Sequence, residues 1–236
     1  MDKSIYLALD FPDWHETKQF LEVNNLQGIP VKVGMELFYR EGAHVIEKLK
    51  ENNHPIFLDL KLHDIPTTIM KAMKNIAKLE VDMVNVHASG GSEMIKRAKE
   101  GLDIGSHANY QTKLIAVTIL TSMDNETMHN ELLLPGKLEE NAWHFARIAK
   151  QSGADGVVCS VHEAMKMKKE FGRSFLTVTP GIRLEESSTD DQKRIATPGF
   201  ARGNGADVLV IGRSVTNAAE PNRAYNQVVK EWGNGG

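Results

Sequence analysis

The sequence contains one cysteine, Cys159, which excludes an internal disulfide framework; inside GVVCS the thiol reads as a buried packing group. It lacks an HExxH pair, a cysteine pair and a calcium loop, so no metal-binding pattern stands out. No apolar run nears the roughly 18 residues needed to span a membrane. The opening MDKSIYLALD lacks the basic, apolar and small-residue zones of a signal peptide, so a cytoplasmic protein is expected. Neither sign of charge dominates. With 28 basic and 31 acidic side chains the net charge is -3, which disfavours a general nucleic-acid surface but permits a local cationic pocket. Tryptophan is scarce too, and Trp14, Trp143 and Trp232 fall in helical stretches without forming a series on which bases could stack.

What is present is a chain of 236 residues, 41% hydrophobic and 25% charged, the composition of an ordinary globular protein with room for one substantial core. Short aliphatic runs recur with helical stretches between them: IYLAL near 5, IPVKV near 29, IFLDL near 56, MVNVH near 83, LIAVT near 114, GVVCS near 156, FLTVT near 175 and VLVIG near 208. Several are apolar almost throughout, as strands buried on both faces are. An Asp leads into a strand at LEVDMVNV, SGADGVVCS and NGADVLVIG, a repeated βα junction. Eight such units favour a closed barrel over an open doubly wound sheet. The expected fold is therefore α/β, a single (β/α)8 TIM barrel over residues 1–236, with the tail at 231–236 frayed.

The polar residues support the same closure. Asp10, Lys32, Asp59 with Lys61, His87, Thr118, Pro180 with Gly181, and Gly212 with Arg213 fall at or just past strand ends, which converge on one mouth in a barrel. In FLDLKLHDIP, strand alternation puts Asp59 and Lys61 on one face, with Asp64 in the turn beyond. Acids and a lysine this close perturb one another's ionisation, and with Asp10 and Lys32 they make an alternating charge network. Such a network fits catalysis; it also fits a salt-bridge cluster that only tethers strand ends. Gly212 and Arg213 follow strand 8, where this fold often holds phosphate, although a turn glycine beside a surface arginine is the alternative. The polar segment at 181–192 reads as a lid over a small ligand or as an exposed connection. The leucines at 132–134 would pack on the rim or at a subunit contact. His87 divides evenly between ligand contact and core packing, whereas His63 is expected to turn away from Asp59 and Lys61.

In order, LALD, VKVG, FLDLKLHDIP, NVHASGG, VTILTSMD, TPGIR, DDQKR and IGRSVT run through nearly the whole chain. Together they closely resemble the orotidine 5'-phosphate decarboxylase family in its compact bacterial form. DxKxxD alone is shared with sugar-phosphate decarboxylases of the same superfamily. Those relatives carry a magnesium-binding acid on strand 2, where this chain has Lys32. The resemblance therefore implies decarboxylation of orotidine 5'-monophosphate to uridine 5'-monophosphate with no metal and no organic cofactor.

It also implies a homodimer in which each barrel lends Asp64 and Thr68 to the other's site. Lys61 would protonate C6 of the pyrimidine, Asp59 would lie near the departing carboxylate, and Asp10 and Lys32 would bind ribose. Thr68 of the partner would reach the 2' hydroxyl, and Thr121 would meet the pyrimidine edge. Pro180 belongs to the substrate-binding set, Gln192, Gly212 and Arg213 would hold phosphate, and Arg183 would help the loop close over it. Two departures from the family pattern stand out. Leu184 replaces a common proline and bears on lid stiffness; Ser214 replaces another and would suit a helix N-cap.

Overall fold

The computed structural model describes residues 4–107, 110–184 and 196–235. Its strands are β1 Ile5–Leu9, β2 Val31–Gly34, β3 Ile56–Leu62, β4 Met83–His87, β5 Lys113–Val117, β6 Gly156–Val158, β7 Leu176–Thr179 and β8 Val208–Ile211. They pair in parallel in sequence order, and β8 returns to β1, closing the barrel. The helices are α1 Trp14–Val23, α2 Met35–Glu41, α3 Ala43–Glu51, α4 Pro66–Ala77, α5 Gly91–Gly105, α6 Asn125–Asn130, α7 Leu138–Gln151, α8 Val161–Phe171, α9 Pro198–Gly203, α10 Arg213–Thr216 and α11 Pro221–Asn234. Among the described residues no helix is long and apolar enough to cross a membrane.

Alternation along each strand builds two cores. Leu7, Leu9, Val31, Val33, Leu58 and Val84 join the layer between sheet and helices, while Tyr6, Ala8, Phe57, Met83, Ile115 and Val178 fill the barrel. Tyr6 meets Phe57 edge-on at 6.2 Å. Both faces of the sheet are thus taken from water over most of its length, which is why the strands read as apolar runs and not as alternating ones. Cys159 is fully buried in the outer layer.

The three Asp-led junctions share one physical device at the N-terminal end of the barrel. Asp82 donates its N–H to Ile56 O at 2.8 Å and accepts the Ile56 N–H on Oδ2 at 2.8 Å. Asp155 does the same with Leu114 at 2.8 and 2.9 Å, and Asp207 with Thr177 at 3.0 and 2.8 Å. Each aspartate therefore clasps the first turns of two neighbouring strands with a main-chain bond and a charge-assisted one. Lys99 of α5 and Lys168 of α8 add ion pairs to Asp155 and Asp207.

The tail differs from expectation. Helix α11 continues through Asn234, and Trp232 is buried with Tyr225 and Val228 at helical spacing, so residues 231–234 are helical and anchored by Trp232, not frayed. Arg202 of α9 lies 4.8 Å from the centre of the Trp232 ring. Of the leucines at 132–134, Leu134 packs against the small cluster of Ile119, Met128 and Leu138, while Leu132 and Leu133 are exposed.

Candidate active site

The C-terminal ends of the strands surround a cavity of about 610 Å³. Its floor is apolar, made by Ala8, Phe57, Val117, Val158, Val178 and Val210. Asp10, Lys32, Asp59 and Lys61 form one wall, and Pro180, Gly181, Arg183, Gly212 and Arg213 line the other side, with Thr121 between them on the β5 side. An apolar floor with few convergent polar groups is the usual make-up of a small-molecule site.

The charged wall is a chain of alternating sign. Lys32 Nζ lies 3.0 Å from Asp10 Oδ1 and 3.4 Å from Asp59 Oδ2, and Lys61 Nζ donates to Asp59 Oδ1 at 2.7 Å. Register explains how a residue early in β2 joins it. Lys32 is level with Ala8 and Phe57, one step below the acids, and its long side chain climbs to them. Burial alone would push the Asp59 carboxyl up, but the ammonium of Lys32 and then that of Lys61 outweigh it and hold the group below the usual range. Burial would lower Lys32, yet Asp59 and Asp10 outweigh it and raise its pKa. The acid stays ionised and the lysine protonated across neutral pH.

Asp59 and Lys61 converge, although not by regular alternation. Leu58 pairs with Val84 and Leu62 with Val86, so β3 covers with four residues the advance that β4 makes in two. This bulge turns Lys61 into the left-handed region at φ 50, an unfavourable conformation for a residue with a Cβ. The Lys61 N–H goes to Asn85 Oδ1 at 2.7 Å, and Asn85 Nδ2 donates to Asp59 Oδ1 at 2.6 Å.

Two residues of this wall escaped sequence reasoning. Asn85 is fully buried, and its signal was a polar side chain between the two valines of MVNVH. Gly34 ends VKVG opposite Asp59; a Cβ there would stand 3.0 Å from Lys32 Nζ and 3.2 Å from Asp10 Oδ1. Phe11, Ser122 and Asn217 also line the cavity without having been singled out.

Other expected residues take different places. Asp64 and Thr68 are exposed and stand outside the cavity lining of their own chain; Asp64 Oδ1 accepts the Ile65 N–H at 2.6 Å. Thr118 directly follows the C-terminal end of β5, as expected, but does not line the cavity; its hydroxyl donates to Val158 O at 2.9 Å and ties β5 to β6. His87 is half-buried outside the cavity lining, with its ring 5.8 Å from that of His63, and burial, then His63 and Lys61, hold its pKa down.

After β7, Gly181 takes φ 80, and the chain passes Ile182 and Arg183 before Ala196 returns to bridge Ile182. Arg183 is buried against the cavity and donates to Ile182 O at 3.0 Å. Gln192 and most of the expected lid, 185–192, lie outside the described residues. Ser214 is not the N-cap it was expected to be. Gly212 holds that position, and the Ser214 hydroxyl sits 3.4 Å from Ile182 O, linking the loops after β7 and β8. Among the described residues no group of three or more His, Cys, Asp or Glu could hold a metal ion.

Comparison with known proteins points the same way. The profile of the orotidine 5'-phosphate decarboxylase / HUMPS family matches residues 3–228. The orotidine 5'-phosphate decarboxylase of Listeria innocua is 53% identical over 232 residues, covering 98% of this chain and 99% of that protein. That of Bacillus pumilus is 52% identical over 229 residues, covering 96% and 97%. The crystal structure of orotidine 5'-phosphate decarboxylase from Lactobacillus acidophilus superposes with a TM-score of 0.86 at 42% identity, covering 98% of this chain and 99% of that one. An uncharacterized conserved protein from Geobacillus kaustophilus gives 0.85 at 46%, covering 97% and 99%. With the family profile matching residues 3–228 and just over half of the residues identical to the Listeria innocua and Bacillus pumilus enzymes along nearly the whole chain, the chain belongs to the orotidine 5'-phosphate decarboxylase / HUMPS family.

Proposed function

We propose that this chain converts orotidine 5'-monophosphate to uridine 5'-monophosphate and carbon dioxide, the last step of de novo pyrimidine nucleotide synthesis, as a cytoplasmic homodimer using neither metal nor organic cofactor. The observation that carries the reading is the Asp10, Lys32, Asp59, Lys61 chain, which ends with an ammonium group beside an apolar cavity floor. When the bond from C6 to the carboxylate breaks, its electron pair stays on C6, where the ring offers no ordinary enolate to receive it. A fixed ammonium favours that anion over the ground state. At a separation of about 4 Å and an effective dielectric near 20 the attraction is about 4 kcal/mol, roughly three powers of ten in rate. Lys61 then delivers a proton to C6, and the neutral amine is reprotonated from solvent.

The remaining roles are those the family resemblance implies, supported by the place of Asp10, Lys32, Asp59, Thr121, Pro180, Arg183, Gly212 and Arg213 in the cavity lining. Asp59 stands where the departing carboxylate would lie and holds Lys61, while Asp10 and Lys32 meet ribose hydroxyls. Thr121 addresses the pyrimidine edge, with Pro180 on the opposite side of the cavity. Gly212 and Arg213, with Gln192 and Arg183 from the β7 loop, take the phosphate. Asp64 and Thr68 serve the partner's site, a reading supported by their exposure outside their own cavity. Phosphate lies far from the reacting carbon, so its binding energy is available to close the 181–192 segment and expel water. Substrate lacking phosphate should therefore lose turnover as well as affinity, which kcat and KM for orotidine would measure.

The direct test is loss of ultraviolet absorbance when purified protein meets orotidine 5'-monophosphate in excess EDTA. Turnover with the chelator present is expected. No turnover by folded protein refutes the activity, and turnover abolished by EDTA moves the chain to the magnesium-dependent relatives.

A further inference from the structure

We propose that Asn85 is a positioning residue that sets the Lys61 ammonium against Asp59 for proton delivery, an inference that rests on the decarboxylase reading. Its carboxamide grips both the backbone and the charge array of the charged wall. Oδ1 accepts the Lys61 N–H at 2.7 Å, and Nδ2 donates at 2.6 Å to the Asp59 oxygen that also accepts Lys61 Nζ at 2.7 Å. Lys61 is thus held at both ends through one side chain, by its own amide directly and by its ammonium through Asp59.

The β3 bulge makes this hold necessary. In a regular ladder, main-chain pairing with β4 would orient a residue at this position; here the register shifts between Leu58 and Leu62, and Lys61 takes φ 50. The side chain from β4 replaces that orientation. The amide orientation is determined by its neighbours, since a flipped carboxamide would set oxygen against Asp59 and nitrogen against the Lys61 N–H. Only a side chain that accepts on one atom and donates on the other fits. Leucine has the shape without either function, and aspartate keeps the acceptor but places a second carboxylate against Asp59. Asn85 is fully buried and pairs with Ile115 on β5, so water cannot substitute freely for it. The titratable groups around it are Asp59 and Lys61 on β3, Lys32 on β2, and His87 on β4 with His63 against its ring.

The test compares native protein with Asn85→Leu and Asn85→Asp, measuring kcat for orotidine 5'-monophosphate from pH 5 to 8. Binding of uridine 5'-monophosphate and exchange of the Lys61 amide hydrogen are measured beside it. Asn85→Leu should lose roughly 10²-fold in kcat, keep product affinity within a few-fold, and exchange the Lys61 amide faster. Asn85→Asp should be equally poor at pH 8. It should regain roughly tenfold relative to native toward pH 5, where the two acids share a proton and one can again donate to the other. A merely structural role would not produce that recovery. An Asn85→Leu variant with near-native kcat, or an Asn85→Asp deficit constant with pH, overturns the proposal. If Asn85→Leu does not fold, the Asn85→Asp profile decides. Inactive native protein would fail the decarboxylase reading instead, and unchanged Lys61 amide exchange in the variants would then count separately against Asn85.

Discussion

At the N-terminal end of the barrel, Asp82, Asp155 and Asp207 each give a carboxylate oxygen to a backbone N–H of the preceding strand. At the C-terminal end, Asp59 instead receives side chains: Lys61 and Asn85 on one oxygen and Lys32 on the other. The same residue type thus serves two ends of one sheet differently. Below, the acids satisfy regular main chain and hold strands in register, with lysine pairs added at Asp155 and Asp207. Above, charges satisfy one another, the strand is bulged, and the last ammonium borders a cavity. The lesson is that a carboxylate's partner, more than its burial, separates a stabilising aspartate from one available for chemistry.

Substitutions at the two ends should therefore separate activity from stability. Lys61→Ala is expected to show the largest effect, a loss of about 10⁴-fold in kcat, because both the proton donor and its charge are removed. Its circular dichroism and melting should stay near native; a fully active variant would overturn the lysine's assigned role. Next comes Gly34→Ala. Its φ is ordinary for any residue, so the effect should come from the new Cβ displacing Lys32 and Asp10, with kcat down roughly tenfold. Unchanged kinetics would show that the array tolerates displacement.

Asp155→Ala probes the opposite end. Leu114 loses a side-chain acceptor, at a cost of about 1–3 kcal/mol, or about 2–4 °C in Tm for each kcal/mol in a chain of this size. The kcat should not change, and a large kcat loss with native Tm would erase the contrast between the ends. The smallest effect is expected at His54, also near the lower end, whose Nδ1 lies 2.7 Å from Ile29 O. Burial holds its pKa below the ordinary value, so the unfolded chain takes up the proton first and stability falls as pH drops from about 6.5 toward the folded pKa. His54→Gln should flatten that part of the Tm profile; an unchanged slope would assign the acid sensitivity elsewhere.

The eight strands were legible because burial on both faces leaves short apolar runs that few other arrangements require. The three Asp-led junctions were visible too, but their clasp was not, since its partners lie 26, 41 and 30 residues away. Asp59 and Lys61 were found as a pair, while the bulge that turns one toward the other has no signature in DLK. Asn85 passed unremarked because a polar residue within a strand does not reveal which strand faces it. Thr118 was legible as the residue after β5, but the carbonyl on β6 that takes its hydroxyl was not, and the helix through 231–234 was hidden because glycine-rich composition masked the 225, 228, 232 helical stripe.

By itself, then, the sequence determined the alternation of strand and helix, the closed barrel and which charged residues reach its mouth, since these follow from periodicity and residue chemistry along the chain. Tertiary structure alone decided the left-handed turn at Lys61, the carboxamide that holds it and the room beneath Gly34. Those features arise where strands distant in sequence meet, and there a hydrogen bond or one methyl group depends on distances that no local pattern encodes.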